Sequence, residues 1–127
     1  MKMKDHKTVE EIFALENLDA NAVTVTGIPE RHVEAVIAIA KLFVVVDHEN
    51  PDFQPDFTKY EQRKYSPVAD MGSPSGVGFS YYDFVLWNTY SLVGARLVSE
   101  SREKAKAIFE NYPDLYKAFM VYQREIK

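Results

Sequence analysis

The chain of 127 residues contains no cysteine. That absence removes disulfide scaffolds, thiolate nucleophiles, iron–sulfur clusters and every zinc site built on sulfur, and it suits a reducing compartment. Histidine is scarce too, with three residues, His6, His32 and His48. None has the paired spacing of a metal helix, and no Gly-x-Ser-x-Gly elbow exists to give a serine nucleophile its base. Long apolar runs are also missing. Those present, residues 42–46 among them, are far too short to span a bilayer. No apolar segment follows the lysine-rich opening residues, as a signal peptide would require. Secretion and membrane insertion are disfavoured, and a cytoplasmic setting is expected.

What is present suffices for one ordered domain over residues 1–127, since 46% of the chain is hydrophobic and 13% aromatic. Residues 1–7 read as a frayed tail. The net charge is −4, unevenly placed. Residues 1–58 carry 5 basic and 11 acidic side chains, whereas residues 95–127 carry 7 basic and 5 acidic. An acidic front half repels phosphate backbones, which argues against a nucleic-acid partner. The basic residues near the end are interspersed with acids, as on a solvated helix face.

Thr8-Val9-Glu10-Glu11 is a capping-box pattern, and a short helix is expected to follow it with Val9, Ile12, Phe13 and Leu15 inward, ending near Asn17 to Asp19. Residues 22–26 read as a short extended segment. From Pro29 to about Asp47 a second helix is expected. One face is Val33, Val36, Ile37, Ala40 and Phe43, beside a second of Ile39, Leu42 and Val46. Residues 42–46 have strand-like chemistry, so a helix-to-strand switch is the alternative there. Residues 48–63 hold two prolines and no period, and read as a long surface loop in which Pro51-Asp52-Phe53 recurs as Pro55-Asp56-Phe57.

Beyond the loop the pattern turns β, with strands expected at 64–70, 77–88 and 94–99. The first two are joined through the turn-rich Gly72-Ser73-Pro74-Ser75-Gly76. Neither face of the second strand is cleanly polar and Asp83 interrupts one parity, which a bulge nearby or burial on both sides would explain. Trp87, in the longest apolar strand run, is expected to be largely buried. A last helix over 101–124, capped by Ser99 or Ser101, should break at Pro113. The fold class is therefore α+β: N-terminal helices, a three-stranded antiparallel meander, and a C-terminal helix packed on the sheet.

Several segments taken together resemble a group of small proteins without assigned activity, encoded by gut Bacteroidetes, their phages and mobile elements. They are Phe53-Gln54-Pro55-Asp56-Phe57, Lys64-Tyr65-Ser66-Pro67, Gly76-Val77-Gly78-Phe79-Ser80, Trp87-Asn88, Val93-Gly94-Ala95-Arg96-Leu97 and Asp114-Leu115-Tyr116-Lys117-Ala118-Phe119-Met120. The similarity runs over about residues 28–122 in order and spacing. In that group the positions of Phe53 and Val98 are more often Trp and Cys, and that of Pro113 is usually aliphatic. The resemblance implies a phage or mobile-element context, in the host cytoplasm or the virion, and no activity.

No constellation points firmly to chemistry. Asp47, His48, Glu49, Asp52 and Asp56 lack the ladder of a calcium loop. Gly72, Gly76 and Gly78 lack the Lys-Ser/Thr of a phosphate loop and lead into a strand. Tyr81, Tyr82, Phe84 and Trp87 with Arg96 are the residue types that stack nucleobases, without a basic groove beside them. An acid/base pair of Asp83 and His48 has no spacing to recommend it. The reading is a non-enzymatic protein that acts by docking on another protein, with Phe53, Phe57, Tyr60 and Tyr82 as candidate interaction residues. No catalytic, metal or cofactor residue is assigned. The alternative is a small-ligand binder with its pocket between the sheet and the C-terminal helix.

Overall fold

The structure is a computed structural model, and it describes residues 6–125. The expected tail falls mostly on residues 1–5, which lie outside that range. Within it, the His6 ring meets Tyr112 edge-on at 5.4 Å, and the Tyr112 hydroxyl donates to the Lys7 carbonyl at 2.6 Å.

Helix α1 spans Val9–Leu15 and begins with the expected capping box: Thr8 Oγ1 accepts from Glu11 N–H, and Glu11 Oε1 accepts from Thr8 N–H, both at 3.1 Å. The Thr8 N–H, with the Thr8 hydroxyl beside it, holds the Glu11 carboxyl below its usual range. Leu15, expected inward, is exposed at the helix end. Residues Ala20–Ala22 form a 3₁₀ turn, where an extended segment was expected from residue 22 on. The Asp19 carboxylate accepts from Asn21 N–H at 2.9 Å and tightens the chain there.

Helix α2 runs Glu30–Glu49, so residues 42–46, with their β-branched Val44–Val46, are helical. Its fully buried residues are Ala38, Leu42, Val45 and Val46, whereas Val36 stands exposed. The deepest stripe is thus the second of the two expected faces, turned further toward Ala38 and Val45. Tertiary packing against α1 and the C-terminal helices outweighs the strand propensity of three consecutive valines.

Strands β1 (Lys64–Asp70) and β2 (Ser80–Trp87) pair antiparallel, from Lys64 opposite Trp87 to Asp70 opposite Ser80. Pro67 faces Phe84 and Ala69 faces Tyr81, so two steps on β1 match three on β2, and Tyr82 is the extra residue of a bulge. The bulge puts Phe84 and Tyr81 on one face despite their odd spacing. Between the strands, Gly72 has φ +67, and a Cβ there would lie 2.3 Å from the Val77 carbonyl oxygen, so the turn demands glycine.

The expected third strand does not form. Residues Ala95–Leu97 coil into a 3₁₀ turn, and only Ser99 joins the sheet, through one antiparallel bridge to Tyr65. Two tertiary contacts divert the segment. Arg96 stacks over the Phe43 ring of α2 at 5.4 Å. Buried Asn50 takes Glu100 N–H at 3.0 Å and donates to Ser99 Oγ at 3.1 Å. The sheet has two strands.

Ser101 caps α3 (Arg102–Asn111), and α4 (Pro113–Met120) starts with Pro113 in its first turn, so the chain breaks there as expected. Helix α3 lies on both strands while α4 packs on α2. Ile12, Leu42, Val45, Val46, Ile108, Phe109, Tyr112 and Tyr116 form the core between them. Each large side chain buried here contributes roughly 1.5–3 kcal/mol. Burial pushes the Tyr116 hydroxyl up, and it pushes Tyr112 up to about 12 with help from nearby Glu49 and Glu11.

Candidate docking surface at the open end of the hairpin

At the end of the hairpin away from its turn, β1 begins at Lys64 and β2 ends at Trp87, so the segments 50–63 and 88–94 lie side by side. Lys64 sits between them with no exposed surface. Its ammonium donates to the carbonyls of Lys59 (3.2 Å), Gln62 (2.7 Å) and Asn88 (2.6 Å), and it lies 5.0 Å from the centre of the Phe57 ring. All three donors are used, so this amine is a tie and not a nucleophile.

Each segment is further stitched by its own side chains. Gln62 accepts from Asp56 N–H at 2.6 Å and donates to the Gln54 carbonyl at 2.8 Å. Asp56 accepts from the Thr58 hydroxyl and amide, which lowers its carboxyl pKa. Asn88 Nδ2 donates to the Tyr60 carbonyl and so joins the two segments directly. Ser91 Oγ accepts from Val93 N–H (3.0 Å) and Gly94 N–H (2.9 Å), a local turn that fixes the second segment.

On this pinned backbone the large side chains point outward. Leu92 is 89% exposed, Tyr90 83% and Tyr60 73%. Side chains that open on a mobile loop cost ordering entropy when they bind, whereas a backbone already hydrogen-bonded has lost most of it. Apart from buried Lys64, residues 50–63 and 88–94 carry Lys59 and Arg63 against Asp52, Asp56 and Glu61, two basic and three acidic, so the surface has no basic excess.

The four candidate interaction residues separate. Phe53 and Phe57 are half-buried, and Phe57 lies under the Lys64 ammonium. Tyr60 stands exposed among the residues just described. Tyr82, 71% exposed, belongs elsewhere, at the bulge on β2. It borders a groove of about 460 Å³ between β2 and α3, lined also by Tyr81, Asp83, Phe84, Arg102, Glu103 and Lys106. Arg102 lies over Phe84 at 5.8 Å and Lys106 over Tyr81 at 5.4 Å, so the groove's cations already cover its rings. Sequence reasoning missed Tyr90, Leu92 and Lys64. The apolar Leu92-Val93 inside an expected turn was the one available signal.

The other constellations come apart in space. His48 Nδ1 pairs with Glu16 Oε1 at 3.0 Å, while Asp83 accepts from Phe84 N–H at 2.8 Å, so each has a partner of its own. Trp87 is half-buried and donates to Ser66 Oγ at 2.9 Å on the sheet face opposite Phe84, and Arg96 is spent on Phe43. No shared stacking platform results. Among the described residues no three His, Asp or Glu side chains converge as a metal site, and no helix is long and apolar enough to cross a membrane. Compared with known proteins, the chain matches no family model, no curated protein and no solved structure.

Proposed function

We propose that this protein is a non-enzymatic docking module whose partner is another protein, engaged through Tyr60, Tyr90 and Leu92. The observation that carries the reading is the near-complete exposure of Tyr90 and Leu92 on a backbone held by side-chain hydrogen bonds. Large aromatic anchors on an ordered support are what interface hot spots use. The exposed aromatic and aliphatic side chains select a partner with an apolar groove. On the resemblance drawn from its sequence, we place the protein among phage or mobile-element accessory or structural components.

A photoreactive residue at position 92, compared with one at Glu34 on α2, tests this in cells of the source organism. A discrete heterologous adduct at 92, absent at 34 and lost with Tyr90→Ser, supports the reading. Equal, diffuse labelling at both positions contradicts it.

A second reading, a small-ligand site, is favoured by the groove between β2 and α3. Saturable shifts of the Tyr82, Arg102 and Lys106 resonances with a small molecule would support it. The stacked cations make it the weaker of the two, because a ligand must first displace them.

A further inference from the structure

Burying an ammonium with no carboxylate in hydrogen-bond contact is costly, and a methionine of similar length would fill the same space without that cost. Yet Lys64 is wholly buried, and its three hydrogen-bond partners are neutral carbonyls. What an apolar side chain cannot do is join carbonyls drawn from separate segments. Lys59 and Gln62 flank Tyr60 in one segment. Asn88 opens the other, which carries Tyr90 and Leu92. The Phe57 ring completes the enclosure, its electron-rich face offering the ammonium partial compensation for lost water.

We propose that Lys64 is the positioning residue of the docking surface, an internal cation that sets the Tyr60 segment against the Tyr90–Leu92 segment before a partner arrives. This rests on the docking reading above. The charge acts as a three-way connector; the Asp56 carboxylate lies near enough to feel it but bonds Thr58, which leaves all three donors for the backbone. Lys64 does not touch the partner. Its effect is to lower the ordering cost of the side chains that do.

Hydrogen exchange of Lys64→Met in the full chain is the test. This variant retains the stem's packing and deletes only the donors. We expect about tenfold faster exchange at amides within 57–63 and 88–94, with core amides of α2 and α4 nearly unchanged, and a weaker adduct at position 92. Unchanged exchange in both segments overturns the proposal, and so does an acceleration spread evenly over the molecule. Loosened segments with an undiminished adduct overturn Lys64's part in docking while leaving docking itself in place. Absence of any adduct in the wild type would remove the docking reading, and the exchange data would still decide whether the cation sets the segments. Should Lys64→Met not fold, the wild type supplies the readout. Its Lys64 ammonium protons should give a slowly exchanging ¹⁵N-correlated signal at neutral pH, where solvent-exposed lysines give none. Failure to observe that signal would overturn the cage.

Discussion

The helical end and the open end of the hairpin are held together by different physics. Between α1, α2, α3 and α4, order comes from apolar contact: Leu42 and Ile12 have no exposed surface, and Phe109 stacks within 4.7 Å of Tyr116. At the open end the same chain relies on hydrogen bonds around one buried ammonium and leaves Tyr60, Tyr90 and Leu92 in solvent. An apolar core stabilises by removing its largest side chains from water, which makes them unavailable to a partner. A polar tie stabilises a backbone while leaving the side chains free. The contrast therefore divides the molecule into an end that holds and an end that presents.

Substitutions can break that division if it is wrong. The largest effect is expected for Leu42→Ala, at the centre of the core, which should lower unfolding free energy by about 2–5 kcal/mol in a urea titration. A loss below about 1 kcal/mol would mean that the helical end is not the stabilising one. Tyr112→Phe should cost roughly 1 kcal/mol at neutral pH, from the lost hydrogen bond to the Lys7 carbonyl. It should also alter the alkaline limb. The folded hydroxyl is raised from 10.0 to about 12, so its contribution is fully present below pH 10 and fades as pH rises through 12. The variant should flatten part of that decline, with Tyr81 and Tyr116, also raised, accounting for the remainder. An identical alkaline slope in both proteins would show that Tyr112 is not a titrating core group. Smaller still is Pro113→Leu. Because Pro113 opens α4, its missing donor costs nothing there, and the substitution should be neutral or mildly destabilising. A gain above about 1 kcal/mol would mean that α3 and α4 behave as one helix.

Features with local causes were legible in the sequence. Thr8 and Glu11 announced α1, Pro113 the helix break, and the interruption at Asp83 a bulge that falls one residue away, at Tyr82. Strand β1 ends ahead of the turn-rich Gly72–Gly76 segment, as expected. Failures occurred where distant residues decide. Residues 94–99 read as a strand, but Asn50 and Phe43 of other segments hold them off the ladder after a single bridge. At the candidate surface, the aromatic-rich 50–63 segment drew attention because its composition is odd for a loop. Tyr90 and Leu92 did not, because Ser91 and Gly94 mark a turn and turns are read as connectors. Lys64 was invisible for a stronger reason. A charged residue at a strand start reads as solvent-facing, and the Asn88 carbonyl that helps bury it lies 24 positions along the chain.

The division into holding and presenting ends is tested most directly by the unfolding free energy of a Tyr90→Ser, Leu92→Ser double variant, read from urea titrations beside the wild type. Because both side chains stand in solvent on a backbone fixed by other groups, the two proteins should agree within about 0.5 kcal/mol. A loss of several kcal/mol would show that Tyr90 and Leu92 are packed against their own chain, and the open end would then be part of the core and no docking surface at all.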